Sequence, residues 1–196
     1  MQVLATVGLP GSGKGEAANV AGELGVPVVT MGDVIRAECR DRGLDPATEH
    51  GTVAKALREE SGPAAIAERS LPLIEDELES SDVVLVDGVR SGVEVDAFED
   101  AFGEDFALVS IEAPFAVRKE RLAERGRDKG ADEGGESLAE RDERERGFGM
   151  DAAMDRADVT IDNTDTLAAF QAKVRTLLTE GVEGYREQYD EQRGQS

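Results

Sequence analysis

The stretch Val3-Leu4-Ala5-Thr6-Val7-Gly8-Leu9-Pro10-Gly11-Ser12-Gly13-Lys14-Gly15-Glu16 decides how the chain is read. Its first five residues form a short apolar run, as expected of a parallel strand buried on both faces. From Glu16 to Leu24 the sequence reads as a helix. Between them stands G-x-x-x-x-G-K, the pattern of a loop that wraps a polyphosphate. Glycines at 8, 11 and 13 allow a tight turn with backbone N–H groups facing an anion. The helix N-terminus adds its partial positive charge, and Lys14 is spaced to reach β- and γ-phosphates. Gly8, Leu9, Pro10, Gly11, Ser12, Gly13, Lys14 and Gly15 are therefore the expected binding loop for a nucleoside triphosphate, with ATP and Mg²⁺ as the implied cofactors.

Gly15 stands where the common pattern has a serine or threonine that ligates Mg²⁺. The segment G-L-P-G-S-G-K-G resembles the loop of adenylate kinases and related nucleoside monophosphate kinases, which also place glycine after the lysine. Those enzymes carry threonine at the position of Glu16. Glu16 is either a first-turn acid favourable to the helix dipole or a group that helps hold Mg²⁺ or its waters.

Four further strands are expected, near residues 26–30, 82–87, 106–113 and 158–163, giving a five-stranded parallel α/β sheet in three layers. Strand two leads into Met31-Gly32-Asp33-Val34-Ile35-Arg36, similar to the segment that ends the second strand of adenylate kinases. That resemblance implies an aspartate near the metal, Asp33, and an arginine on the acceptor phosphate, Arg36. Read without it, Asp33 is a helix cap and Arg36 a solvated helical side chain. The run Val83-Val84-Leu85-Val86-Asp87-Gly88-Val89-Arg90 ends a buried strand in a carboxylate, at the edge where open α/β sheets hold ligands. Asp87 is expected to hold Mg²⁺ through water. Gly88 allows close approach of an acceptor, and Arg90 can neutralise its phosphate.

Residues 38–80 read as a helical insert, with a helix starting at Thr52, His50 in a loop, and Pro72 kinking or restarting a later helix. The resemblance to nucleotide kinases implies that this insert closes over the acceptor. After Pro114, Arg118, Arg121 and Arg125 fall at i, i+3 and i+7 on one helical face. They are either solvated or, for Arg121 and Arg125 in particular, catalytic cations on the transferring phosphoryl group. Residues 126–149 change to a charged, glycine-rich composition. They read as a short mobile lid carrying Arg141 and Arg144 toward the acceptor, or as a plain loop. No lid cysteines stand ready to bind zinc.

The segment Ala157-Asp158-Val159-Thr160-Ile161-Asp162-Asn163 with its following helix resembles the carboxyl end of dephospho-coenzyme A kinases. This implies that Asn163 lies near the ATP base. The chain as a whole resembles an archaeal group, the UPF0200 type, that stands between the two kinase families. The resemblance implies a single three-layer P-loop kinase domain over residues 1–196 and phosphoryl transfer from ATP to a nucleotide-like small molecule. An ATP-driven assembly factor and a nucleotide-binding module with little turnover are the alternatives.

Composition sets further bounds. The net charge is −21, from 43 acids against 22 bases. Such a field repels nucleic acid and anionic membranes. No apolar stretch approaches membrane-spanning length and Cys39 is the only cysteine, so a soluble cytoplasmic protein without disulfides is expected. The acids are spread along the chain, and only five bases are lysine. This resembles the cytoplasmic proteins of extremely halophilic archaea. In molar salt the Debye length is about 3 Å, so carboxylate repulsion is largely screened. The melting temperature is therefore expected to rise steeply between low and molar KCl, and a flat profile across that range would refute the halophilic reading.

Overall fold

The computed structural model describes residues 1–124 and 136–189. Five parallel strands, β1 (Gln2–Val7), β2 (Val28–Thr30), β3 (Val83–Asp87), β4 (Phe106–Glu112) and β5 (Val159–Asp162), form one sheet in the order β2-β3-β1-β4-β5. Strand β1 is central, pairing Leu4 with Leu85 on one side and with Ala107 on the other. Val3, Leu4, Ala5 and Val7 are fully buried. That position explains a run with no polar alternation apart from Thr6, because both faces of a covered parallel strand lie in the core.

Helices cover both faces. On one, α1 (Lys14–Glu23) and α9 (Leu167–Tyr189) enclose Leu4, Leu85, Val109 and Ile111 with Phe170, Val174 and Leu177. The other face holds the larger core. Here α2 (Met31–Asp41), α3 (Pro46–Ser61), α4 (Ala65–Leu78), α5 (Gly92–Phe102) and α8 (Met150–Met154) bury Ile35, Leu57, Ile66, Ile74, Phe98 and Met150 over Val3, Val84 and Val86. Phe98 stacks on Phe106 with ring centroids 5.9 Å apart. Burying such a side chain contributes roughly 1.5–3 kcal/mol. Two more helices, α6 (Phe115–Glu124) and α7 (Leu138–Gly147), stand at the carboxyl end of the sheet.

Several local expectations are corrected. Strand β2 is only Val28–Thr30, because the Val26 N–H is taken by the Ala21 carbonyl at the end of α1 and Pro27 has no N–H to give. Helix α3 starts at Pro46 rather than Thr52. The Asp45 side chain accepts from the Ala47 N–H at 2.9 Å, and proline suits the first turn. His50 is therefore a helical residue. Pro72 neither breaks nor restarts α4, which runs through it with Ile66, Ser70 and Ile74 buried along the inner face. The charged stretch after Ser137 is not loop but helix α7, opened by a reciprocal Ser137–Glu140 capping box. Helix α5, capped by Ser91, is not expected from the sequence. No helix among the described residues is long and apolar enough to cross a membrane.

Candidate functional site

The loop between β1 and α1 is shaped by glycine. Gly8 (φ 151°) lies against the Ile111 carbonyl and Gly13 (φ 126°) against the Asn163 amide, so a Cβ at either position would collide with them. Its carbonyls are tied from outside. Arg118 Nη1 donates to Pro10 O at 2.9 Å, and Asn163 Nδ2 donates to Ser12 O at 2.7 Å. Helix α1 begins at Lys14; the Glu16 and Ala17 N–H groups donate to the Gly13 carbonyl, which leaves those of Lys14 and Gly15 as first-turn donors toward the loop. This is an anion cradle.

Lys14 donates to the Gly8 and Leu9 carbonyls. Burial pushes its ammonium below the ordinary lysine range, while Asp87 and then Glu145 pull it back up. Asp87 ends β3 in register with Thr6 of β1 and Thr30 of β2. Thr6 Oγ1 donates to its Oδ1 at 3.1 Å.

A cavity of about 700 Å³ opens from this point, walled by the loop, α2, α3, the end of β3 and α7. It brings together Lys14, Asp87, Gly88, Arg36, Arg90 and Arg144 from widely separated parts of the chain. It also contains His50, Arg58, Glu94, Glu145 and Phe148. Glu94, 1% exposed, accepts from Arg58 Nη2 at 3.2 Å and from the Arg90 N–H at 2.8 Å. The Arg58 guanidinium lies over the Phe148 ring, 5.7 Å from its centroid. His50 is pushed below the ordinary histidine pKa, first by burial and then by Arg90 and Arg36.

Other expected residues lie elsewhere. The Asp33 side chain is 64% exposed, paired with Arg36, and outside the cavity lining. Asn163 is 5% exposed, with Arg121 Nη2 donating to its Oδ1 at 3.3 Å, so its amide ties the loop to α6. Arg121 Nη1 is buried without a hydrogen-bond partner among the described residues. Arg118 is buried and bidentate on Asp142, at 2.8 and 2.6 Å. Arg141 lies on α7 but not in the cavity lining, and Arg125 falls outside the described residues. Glu16 accepts from Asn19 and Gln171, turned toward α9. Glu94 and Glu145 escape sequence reading because nothing local separates them from the other acids. Their signal is burial.

Comparison with known proteins agrees with this architecture. A UPF0200 protein of Halobacterium salinarum is 61% identical over 91% of this chain and 93% of its own length. The chain belongs to the UPF0200 family. Residues 7–139 also match the model of an AAA domain family. Among solved structures, a gluconokinase from Sinorhizobium meliloti aligns over 100% of this chain and 97% of its own, with TM-score 0.55 and 20% identity. A shikimate kinase from Acinetobacter baumannii, in complex with shikimate, aligns over 93% and 94%, with TM-score 0.55 and 14% identity. The fold of this UPF0200 protein is that of P-loop kinases.

The electrostatics of the cavity can be read through the single histidine of the chain. His50 is expected to titrate below the ordinary value of about 6.5, and Arg36→Ala should raise its pKa by removing a neighbouring positive charge. Proton NMR of the imidazole resolves this, and an unchanged or lowered pKa in the mutant would show that Arg36 does not act on His50.

Proposed function

We propose that the protein is an ATP-dependent phosphotransferase acting on a small, phosphate-bearing, nucleotide-like acceptor in the cytoplasm. The observation that carries this reading is the charge of the cavity. Six of its lining residues are Lys or Arg against four Asp or Glu, in a chain of net charge −21. The bases lie beside a phosphate loop and a strand-ending aspartate, so donor and acceptor positions share one space.

The residues present fit ATP and Mg²⁺. The glycine cradle accepts a polyphosphate. Gly15 offers no hydroxyl to the metal, Glu16 is engaged elsewhere, and Asp87 is the carboxylate that would hold Mg²⁺ with waters and phosphate oxygens. Mg²⁺ supplies charge neutralisation on the phosphates. Lys14 leaves the loop carbonyls to meet the β- and γ-phosphates. Arg36 and Arg90 hold the acceptor phosphate, and Arg144 approaches it from α7. The chemistry is in-line transfer, in which the protein contributes positioning and neutralisation. Arg118 and Asn163 keep the loop in shape through its carbonyls. A polyanion as large as nucleic acid would be repelled by the remaining surface.

The test is a panel of AMP, CMP, UMP and dephospho-coenzyme A with Mg·ATP in high salt. Lys14→Ala should remove ATP binding from a folded protein. Arg36→Ala and Arg90→Ala should each weaken acceptor use by about ten- to a hundred-fold while sparing ATP affinity, each losing a charged hydrogen bond to phosphate. Slow ATP hydrolysis with no panel member phosphorylated would move an assembly-factor role ahead. Equal loss of ATP affinity in both arginine mutants would overturn the division of the cavity.

A further inference from the structure

Glu145 is the feature of the cavity that a kinase reading does not by itself explain. It lies on α7, 5% exposed, where arginines from two segments donate to one of its oxygens, in the cavity that Lys14 also lines. Arg90 Nη1, from the end of β3, donates to its Oε1 at 3.4 Å. Arg144 Nη2, from α7 itself, donates to the same oxygen at 3.3 Å, while its Nη1 pairs with Glu136. The Glu145 charge also favours the ammonium of Lys14, in the phosphate loop.

The quality of these bonds separates Glu145 from a structural acid. Charge-assisted N–H···O bonds run about 2.7–2.9 Å. One turn earlier on the same helix, Asp142 meets that standard with Arg118, at 2.8 and 2.6 Å and with both oxygens engaged. Glu145 instead shares one oxygen between two guanidiniums, both at long range. The other acids of the cavity are committed differently. Glu94 uses both oxygens, on Arg58 and on the Arg90 backbone, Asp87 accepts from Thr6, and Glu59 pairs with Lys55 at 3.7 Å. Among the described acids of the lining, Glu145 is the one whose single oxygen is shared by two arginines. A carboxylate that offers one oxygen to two guanidiniums leaves both at long range, whereas a phosphate group carries three acceptor oxygens and more charge.

We propose that Glu145 is an internal stand-in for phosphate, its carboxylate holding the anion subsite between Lys14 and Arg90 until a ligand's phosphate group takes its place. This rests on the phosphotransferase reading of the cavity and adds a regulation to it. A phosphate-bearing ligand offers enough charge to displace the carboxylate. A weak monovalent anion such as chloride does not, so the subsite stays selective in molar salt.

The experiment measures binding of inorganic phosphate by calorimetry in molar KCl, with the melting transition of each variant recorded in the same buffer. Glu145→Gln keeps the shape of the side chain and removes its charge. It should bind phosphate about tenfold tighter than the unaltered protein, the scale of one charged hydrogen bond. Glu145→Ala should also bind more tightly, giving a second uncharged variant. Glu145→Asp, which keeps the charge, should stay near the unaltered protein. Adding Arg90→Ala to Glu145→Gln should abolish the gain.

Phosphate binding no tighter in Glu145→Gln and Glu145→Ala overturns the proposal, as does an equal gain in Glu145→Asp, which would point to packing. If Arg90→Ala weakens phosphate binding while the Glu145 variants bind no tighter, only the stand-in role falls. If phosphate binding ignores Arg90 altogether, the acceptor site itself is misplaced and the reading beneath the proposal falls with it.

Discussion

One buried guanidinium fixes the geometry on which the cleft depends. Arg118, 3% exposed, donates to the Pro10 carbonyl in the phosphate loop, to the Ala113 carbonyl after β4, and to both oxygens of Asp142 on α7. Desolvating such a pair is costly, and that cost is offset here by a full set of short bonds. Removing either partner would leave an unpaired buried charge, at roughly 3–5 kcal/mol. The position of the pair matters as much as its strength. Asp142 and Glu145 are three residues apart and so share a face of α7. Whatever holds Asp142 against the loop also holds Glu145 toward Lys14 and Arg90. The shape of the glycine loop and the placing of a carboxylate in the cavity are thus tied to one contact.

The fold is legible where local pattern and tertiary environment carry the same information. A strand covered on both faces must be apolar throughout, so β1, β3 and β4 announce themselves. A loop that turns at Gly8 and Gly13 against neighbouring atoms admits no side chain, so its glycines do too. Asp87 is visible because a carboxylate that closes an apolar run must leave the core at the end of its strand. Helix α5 lacks such a mark, since its buried residues are Val95, Phe98 and an acid, Glu94, that sequence does not separate from the exposed acids around it. Pro72 misleads because the cost of a missing N–H is local, while the packing that holds α4 together is not.

The site is less legible, for a physical reason. Periodicity places Arg118 and Arg121 on one face of α6 but does not say what that face meets. It meets Asp142 and Asn163, partners 24 and 42 residues away in the chain. In a protein with 43 acids, every arginine has many candidate partners, and only the tertiary fold selects among them. The same degeneracy hides Glu94 and Glu145. His50 is hidden differently, by a helix whose start at Pro46 lies a turn and more before the expected Thr52.

The scarcity of lysine bears directly on how this cavity can recognise an anion. Where salt shrinks the Debye length to about 3 Å, the field of the whole molecule reaches a ligand only at contact. Long-range steering is then unavailable, and so is most of the repulsion from the acidic surface. Selection must come from groups that touch. Arginine suits that regime, because its rigid fork offers paired donors to a carboxylate or phosphate, while a lysine ammonium acts as a hydrated point charge. Arginine predominates in the cavity, with Arg36, Arg58, Arg90 and Arg144 along its walls beside Lys14 of the loop and Lys55 of α3. The same fork geometry that prepares these residues for a phosphate also demands an acid partner when none is bound. Asp33 on Arg36, Glu94 on Arg58, and Glu145 between Arg90 and Arg144 answer that demand. The three differ in how tightly they hold, from 2.6 Å at Asp33 through 3.2 Å at Glu94 to 3.3 and 3.4 Å at Glu145, so the loosest partner is the one on α7.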